Sequence, residues 1–376
     1  MAPSAEPVNG ISTTAKDPTA ITPPPAPPSP WIKTPLVLST ALSRIAGCKV
    51  YLKLENLQPS GSFKCRGIGN LILHHLHTRP PTAPSPHFYS SSGGNAGLAC
   101  VHAARSLGYP ATIIVPQLTT PFMIAKLRAA GAHAVEQHGA TWAEADRYLR
   151  DDVLGPDNAG GRGVYIPPFD HDAIWEGNGS LVHEVVEQLA EMDGGAAPLL
   201  PDAMVCSVGG GGLFCGLMRG LDSIAPSAAT GGRLPQDVHV IAVETAGADS
   251  LAQSLAADAP ITLAGITSIA TSLGATRVCD RAFADGRRDT VRSVVMADAE
   301  AARACVRFVE DERCAVEVGC GAAVAMAYRR GWLGEVVGGR EGRAVLVVCG
   351  GANVSVAKLA EWEREFGGHE EDGEEV

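Results

Sequence analysis

The chain has 376 residues, 45% of them hydrophobic, and a formal net charge of −11. That length accommodates two domains with substantial cores, and the acidic balance argues against a nucleic-acid or anionic-membrane partner. The ten cysteines form no C-x-x-C pair and lie in apolar runs, as at Cys100, Cys206, Cys215 and Cys305, so they read as small buried hydrophobes in a reducing compartment. No apolar signal-peptide core opens the chain, and the uncharged stretch 107–125 is broken by Pro110, Pro116 and Pro121. A soluble, cytoplasmic protein without a membrane span is therefore expected.

Residues 1–30 are rich in Pro, Ser, Thr and Ala and read as a disordered arm. The folded part begins near Trp31, with the first strand at 50–55 and a helix at 65–79. A strand at 87–91, a helix from Asn95 to just before Gly108, a strand at 111–115, a helix at 121–130, a strand at 132–135 and a helix at 141–152 follow, closed by a loop at 154–163. A second block opens at 165–170, with strands at 203–207, 238–243, 293–296 and 344–348. Its helices include 298–311, for which Asp298 is the expected N-cap, then 316–330 and 354–366. Loops near 192–202 and 226–236 carry Gly, Pro and Ala punctuation, and the tail 367–376 is acidic. Strands separated by helices imply right-handed βαβ units, hence an α/β protein with mainly parallel sheets.

Four stretches carry chemistry. Pro59-Ser60-Gly61-Ser62-Phe63-Lys64 sets a lysine at the start of a helix. The positive end of the helix disfavours a protonated ammonium there, which suits an amine that must meet an aldehyde. Ser92-Gly93-Gly94-Asn95-Ala96 joins a strand end to a helix start, and its exposed amides form a nest for a carboxylate. Ser207 to Leu213, with four consecutive glycines, lets backbone amides approach a phosphate. Phe214 and Cys215 stand where a dinucleotide fingerprint needs a third glycine, so a single phosphate is the better reading. Cys349, followed by Gly350 and Gly351, ends the last strand, where parallel sheets place their ligands.

Taken together and in this order, the motifs resemble the fold type II pyridoxal-5'-phosphate enzymes, the tryptophan synthase β-like group, and within it the L-serine/L-threonine dehydratases of the liver type. Tyr165 to Asp170, Ile174 to Gly177 and Glu244 to Ala248 add to the match, which spans most of 34–359. The resemblance implies two domains, each with a mainly parallel sheet flanked by helices. One is a discontinuous large domain, 31–58 and 171–366, and the other a small substrate domain, 59–170.

It also implies an L-serine ammonia-lyase that yields pyruvate and ammonia, with 2-oxobutanoate from L-threonine as a second activity. Lys64 would hold the cofactor as an imine and then act as base on Cα. Phe63 would cover one ring face and Ser272, replacing a usual alanine, the other. Ser92, Gly93, Asn95 and Ala96 would grip the substrate carboxylate, with Asn95 donating to the ring oxygen, and Gly209, Gly210, Gly211, Gly212 and Leu213 would bind the phosphate. Cys349 would face the ring nitrogen; a thiol does not keep that nitrogen protonated, which favours prompt β-elimination. The cofactor phosphate would protonate the departing hydroxide. Gly209, Glu244, Ala248, Ser250, Leu273 and Ala275 match a monovalent cation site, with potassium the expected ion. A homodimer is implied as well.

Gly93 stands where racemases of this fold carry a serine, so no acid acts on the second face of Cα and racemisation is disfavoured. On the same ground Gly93→Ser is expected to introduce D-serine formation. Only a short tail follows Phe366, so a regulatory domain responding to isoleucine is not expected. The alternatives are a β-replacing synthase of the cysteine synthase kind and a pyridoxal-phosphate-binding protein without turnover.

Overall fold

A computed structural model describes residues 29–155, 160–195, 198–224 and 234–367. The arm up to residue 28, the tail from residue 368, most of the 226–236 loop and parts of the 154–163 and 192–202 loops lie outside the described residues.

In chain order the first part comprises β1 Leu36–Ser39, α1 Thr40–Ala46, β2 Lys49–Lys53, α2 Lys64–Thr78, β3 His87–Ser90, α3 Asn95–Ser106, β4 Ala111–Val115, α4 Pro121–Ala129, β5 Ala134–Gln137, α5 Trp142–Tyr148 and β6 Gly163–Tyr165. The rest comprises α6 Asp172–Met192, β7 Ala203–Ser207, α7 Gly212–Ser223, β8 His239–Thr245, α8 Ser250–Ala256, α9 Asp280–Gly286, β9 Val291–Met296, α10 Asp298–Glu312, α11 Val318–Tyr328, α12 Trp332–Val337, β10 Arg343–Val347 and α13 Val356–Phe366.

Two sheets result. The six-stranded sheet runs β1-β2-β10-β7-β8-β9, and only β1 is antiparallel to its neighbour. The four-stranded sheet runs β5-β4-β3-β6 and is parallel throughout. Every residue of β3, β4 and β7 is buried, as expected of strands covered on both faces by crossover helices. No helix among the described residues is long and apolar enough to cross a membrane. All ten cysteines are free, and all but Cys314 are buried.

Several expectations need correction. Asp298 is the first residue of α10 rather than its N-cap, which is Ala297. Its carboxylate instead accepts from Ser268 Oγ at 2.5 Å and Ile269 N at 2.9 Å, donors that a neighbouring loop supplies. The 316–330 helix is shorter because Gly331, at φ 72°, turns the chain before α12. The 141–152 helix loosens into a π-type turn at Leu149–Val153, and the 132–135 strand lies at Ala134–Gln137.

The sequence reading also passed over α6, the 21-residue helix between the two sheets. Its glycines are packing positions rather than breakers. A Cβ on Gly177 would lie 2.6 Å from the Arg66 carbonyl, and one on Gly179 would lie 3.1 Å from that of Gly216. The helix therefore touches α2 and α7 nearly backbone to backbone, which brings the two sheets close enough to share a cleft.

Candidate active site

The loop before α2 is fixed to the end of β10. Gly61 takes φ 82°, Ser62 bridges to Gly350, and Phe63 N donates to the Cys349 carbonyl at 3.0 Å. Lys64 then opens the helix with its amine enclosed by protein. Nζ donates to the Pro168 carbonyl at 2.6 Å and lies 5.2 and 6.0 Å from the ring centres of Phe63 and Phe169. Burial pulls its pKa down to about 8, against the opposing pull of Cys349 and Glu317. The amine is therefore deprotonated readily, as a nucleophile must be.

The glycine loop follows β7. Gly211 adopts φ 96° and a Cβ there would lie 2.5 Å from that of Ala282, so only glycine fits. The Phe169 ring would meet a Cβ on Gly210 at 2.4 Å. The first amides of α7 have no carbonyl within their own helix and form an anion cradle. The aromatic ring that closes this cradle belongs to the residue next to Pro168, so amine and cradle share one wall.

Cys349 is buried, and its thiol stays protonated because of a hydrogen bond with Cys320 and its enclosure. Asn95, at the first position of α3, donates through Nδ2 to Glu317 Oε1 at 2.7 Å, while its Oδ1 is buried and has no partner. Glu317 Oε2 accepts from Asn353 N at 3.3 Å, and the Ser272 hydroxyl also bonds to this carboxyl. Burial raises the Glu317 pKa above the usual carboxylate range. Ser272 thus reaches the cleft through Glu317.

Ser92, Gly93 and Ala96 lie in the same loop as Asn95, and Ser92 Oγ accepts from Gly94 N at 3.3 Å. Gly93 is crowded. A Cβ there would lie 2.8 Å from Thr119 Cγ2 and 3.2 Å from Val115 Cγ1. A serine at 93 therefore requires Thr119 to withdraw, so the experiment on the second face of Cα is Gly93→Ser combined with Thr119→Ala.

The residues matched to a cation site form a separate group. Gly209 and Leu273 touch, since a Cβ on the former would lie 3.0 Å from Leu273 Cα, and Ala275 N donates to the Leu273 carbonyl at 2.8 Å. Ala248 N turns back to the Thr245 carbonyl at 2.8 Å, and Ser250 opens α8. Glu244 is fully buried, and its two oxygens accept from Leu251 N at 2.9 Å and Ala252 N at 2.8 Å. Burial lifts its pKa to about 8 in spite of these amides. A carboxylate has capacity beyond two amides, so the group also offers hard oxygen to a cation.

Residues 29–350 match the model of the pyridoxal-phosphate dependent enzyme family. The chain belongs to this family. It is 41% identical over 345 residues to a Bos taurus protein named L-serine dehydratase/L-threonine deaminase, covering 89% of this chain and 96% of that one. It is 38% identical over 325 residues to a Saccharomyces cerevisiae L-serine dehydratase, covering 85% and 93%. A fungal L-serine ammonia-lyase from Rhizomucor miehei superimposes with a TM-score of 0.77 at 31% identity, covering 90% of this chain and all of that one.

The residues present fit the cofactor of a pyridoxal-phosphate dependent enzyme. Lys64 offers an enclosed amine, the loop before α7 an anion cradle, and Asn95 Oδ1 a buried polar atom still lacking a partner. Sequence reasoning missed the Pro168 carbonyl, Thr119, Asn353 and Glu317. For Glu317 a signal existed, because it is the one acid in the apolar run 313–334.

Proposed function

We propose that the chain is an L-serine ammonia-lyase that also accepts L-threonine, working in the cytoplasm as a homodimer. The observation that carries this reading is the Lys64 amine, enclosed, hydrogen-bonded only to a carbonyl and facing Phe169 above the glycine loop. The names of the relatives supply the substrate class. The division into residues 31–58 with 171–366 and residues 59–170 follows the two sheets.

Pyridoxal phosphate, when bound, supplies an electron sink for the charge left at Cα. The amides from Gly209 to Leu213 would hold its phosphate, Phe63 and Ser272 would flank its ring, and the Cys349 thiol would meet its ring nitrogen. Ser92, Gly93, Asn95 and Ala96 would fix the substrate carboxylate, which orients the Cα–H towards Lys64. Lys64 Nζ, pulled down to about 8, would then take that proton. Gly93 leaves the opposite face without an acid. Gly209, Glu244, Ala248, Ser250, Leu273 and Ala275 would hold a potassium ion, whose charge would keep Glu244 ionised.

The net reaction loses one water and takes one up, turning L-serine into pyruvate and ammonia without an oxidant. Pyruvate release from L-serine with no added thiol, 2-oxobutanoate from L-threonine, and borohydride labelling at Lys64 are the expected results. Turnover that waits for a thiol would instead make the chain a β-replacing synthase.

A further inference from the structure

Glu317 is a buried carboxyl in the cleft that the proposed chemistry leaves idle. It stands at the N-cap of α11 yet does not cap that helix. Its side chain instead joins Asn95, Asn353 and Ser272, from three other parts of the fold. The pairing with Asn95 has a consequence for the ligand. With Nδ2 held by Glu317, the only group Asn95 can still offer is Oδ1, an acceptor. A buried amide oxygen without a donor costs about 1–3 kcal/mol, and folded proteins rarely leave one so.

The ring oxygen of pyridoxal phosphate is a phenolate, also an acceptor. If Asn95 lies at that oxygen, as the functional reading holds, two acceptors would face each other. One rearrangement removes the conflict with no movement of the backbone. A proton on Glu317 Oε1 lets the carboxyl donate to Asn95 Oδ1, and the amide turns so that Nδ2 donates to the ring oxygen. Oε2 keeps its bond from Asn353 N. Every buried polar atom of the pair then has a partner.

We propose that in the cofactor-bound enzyme Glu317 is a neutral acid that donates to Asn95, so that the two residues act as a proton-linked reader of the cofactor's ring oxygen. This inference rests on the functional reading above. The groups facing Glu317 are Lys126 on α4, Lys64 on α2, Cys349 after β10 and Cys305 on α10. Burial favours the neutral acid, whereas the Ser272, Asn353 and Asn95 hydrogen bonds and the Lys126 cation favour the carboxylate. A bound phosphate and phenolate add negative charge to the cleft and shift this balance towards the acid.

Glu317→Gln tests the idea, since a glutamine amide reproduces the neutral form: it donates to Asn95 Oδ1 and accepts from Asn353 N. The loaded wild type should show an infrared C=O stretch of a protonated carboxyl that shifts with carbon-13 glutamate labelling and vanishes in Glu317→Gln. The variant should keep the visible cofactor band and bind pyridoxal phosphate within about threefold of the wild type. A loaded wild type without the acid band overturns the inference, and this measurement needs no variant to fold. Weakening of cofactor binding by about tenfold or more in folded Glu317→Gln also overturns it, because the carboxylate would then be the working form. A wild type that never forms the coloured, borohydride-trappable adduct at Lys64 sinks the functional reading and this inference together. Normal trapping without the acid band sinks the inference alone.

Discussion

Lys64 and Arg66 stand two positions apart on α2, and the protein treats their charges in opposite ways. Arg66 is fully buried and gripped from two sides. Its guanidinium donates to both oxygens of Glu55, at 2.7 and 2.8 Å, and to both oxygens of Glu184, each at 2.7 Å. Lys53 completes the group by donating to Glu184 at 2.6 Å. Burial alone would lower the Arg66 pKa, but the two carboxylates more than offset it and hold the charge in place. Lys64 is enclosed as well, yet its nearest polar partner is a carbonyl, and burial pulls it down. One site has spent its electrostatics on permanence; the other is left short of counter-charge, and that shortage is what makes an amine reactive.

The largest expected effect tests the reactive half. Lys64→Ala should lower turnover by at least ~10³-fold, since both the covalent anchor and the base disappear, while the midpoint of urea unfolding holds or rises. A large fall in stability would mean that Lys64 is structural after all.

Arg66→Met tests the other half. It strands the fully buried Glu55, so a loss of about 3–5 kcal/mol in urea unfolding is expected. Adding Glu55→Gln should return part of that loss, because the stranded charge goes too. Arg66→Lys sharpens the contrast further. It keeps the charge but loses the two-sided fork, for an expected loss of about 1–3 kcal/mol. If lysine served as well as arginine, geometry would matter less than net charge.

The smallest effect is a slope. Because the folded Lys64 pKa, about 8, lies below its unfolded value of 10.5, the unfolded chain binds more protons between the two. The cofactor-free protein should therefore gain stability as pH rises through that window, and Lys64→Met should flatten the gain. Unfolding at about pH 7 and about pH 10 checks it. An equal slope in both proteins would place the titrating group elsewhere.

The reactive half was far more legible in the sequence than the permanent half. Lys64 and the glycine loop announce themselves because local chain geometry does the work: a helix start, a run without side chains, a strand end. Glu55, Glu184 and Glu317 do not, because their partners lie at separations of 11, 118 and 222 residues. No local pattern encodes such pairs; only the fold creates them. The same reason hid α6, whose Gly177 and Gly179 look like breaks until α2 and α7 lie against them. Alternation of strand and helix was readable from composition and period, whereas β1, which runs against its neighbour, gave no such rhythm.

The crossing of α2 over α6 has a consequence for anyone reading natural variation in this protein. A Cβ on Gly67 would sit 2.7 Å from Ile174 Cγ2, and one on Gly177 would sit 2.6 Å from the Arg66 carbonyl. A single methyl at either place would wedge apart the helices that carry Lys64 and Glu184. An inherited glycine-to-alanine change there, the mildest on paper, would surface as scarcity of the protein and as sluggishness of whatever survived.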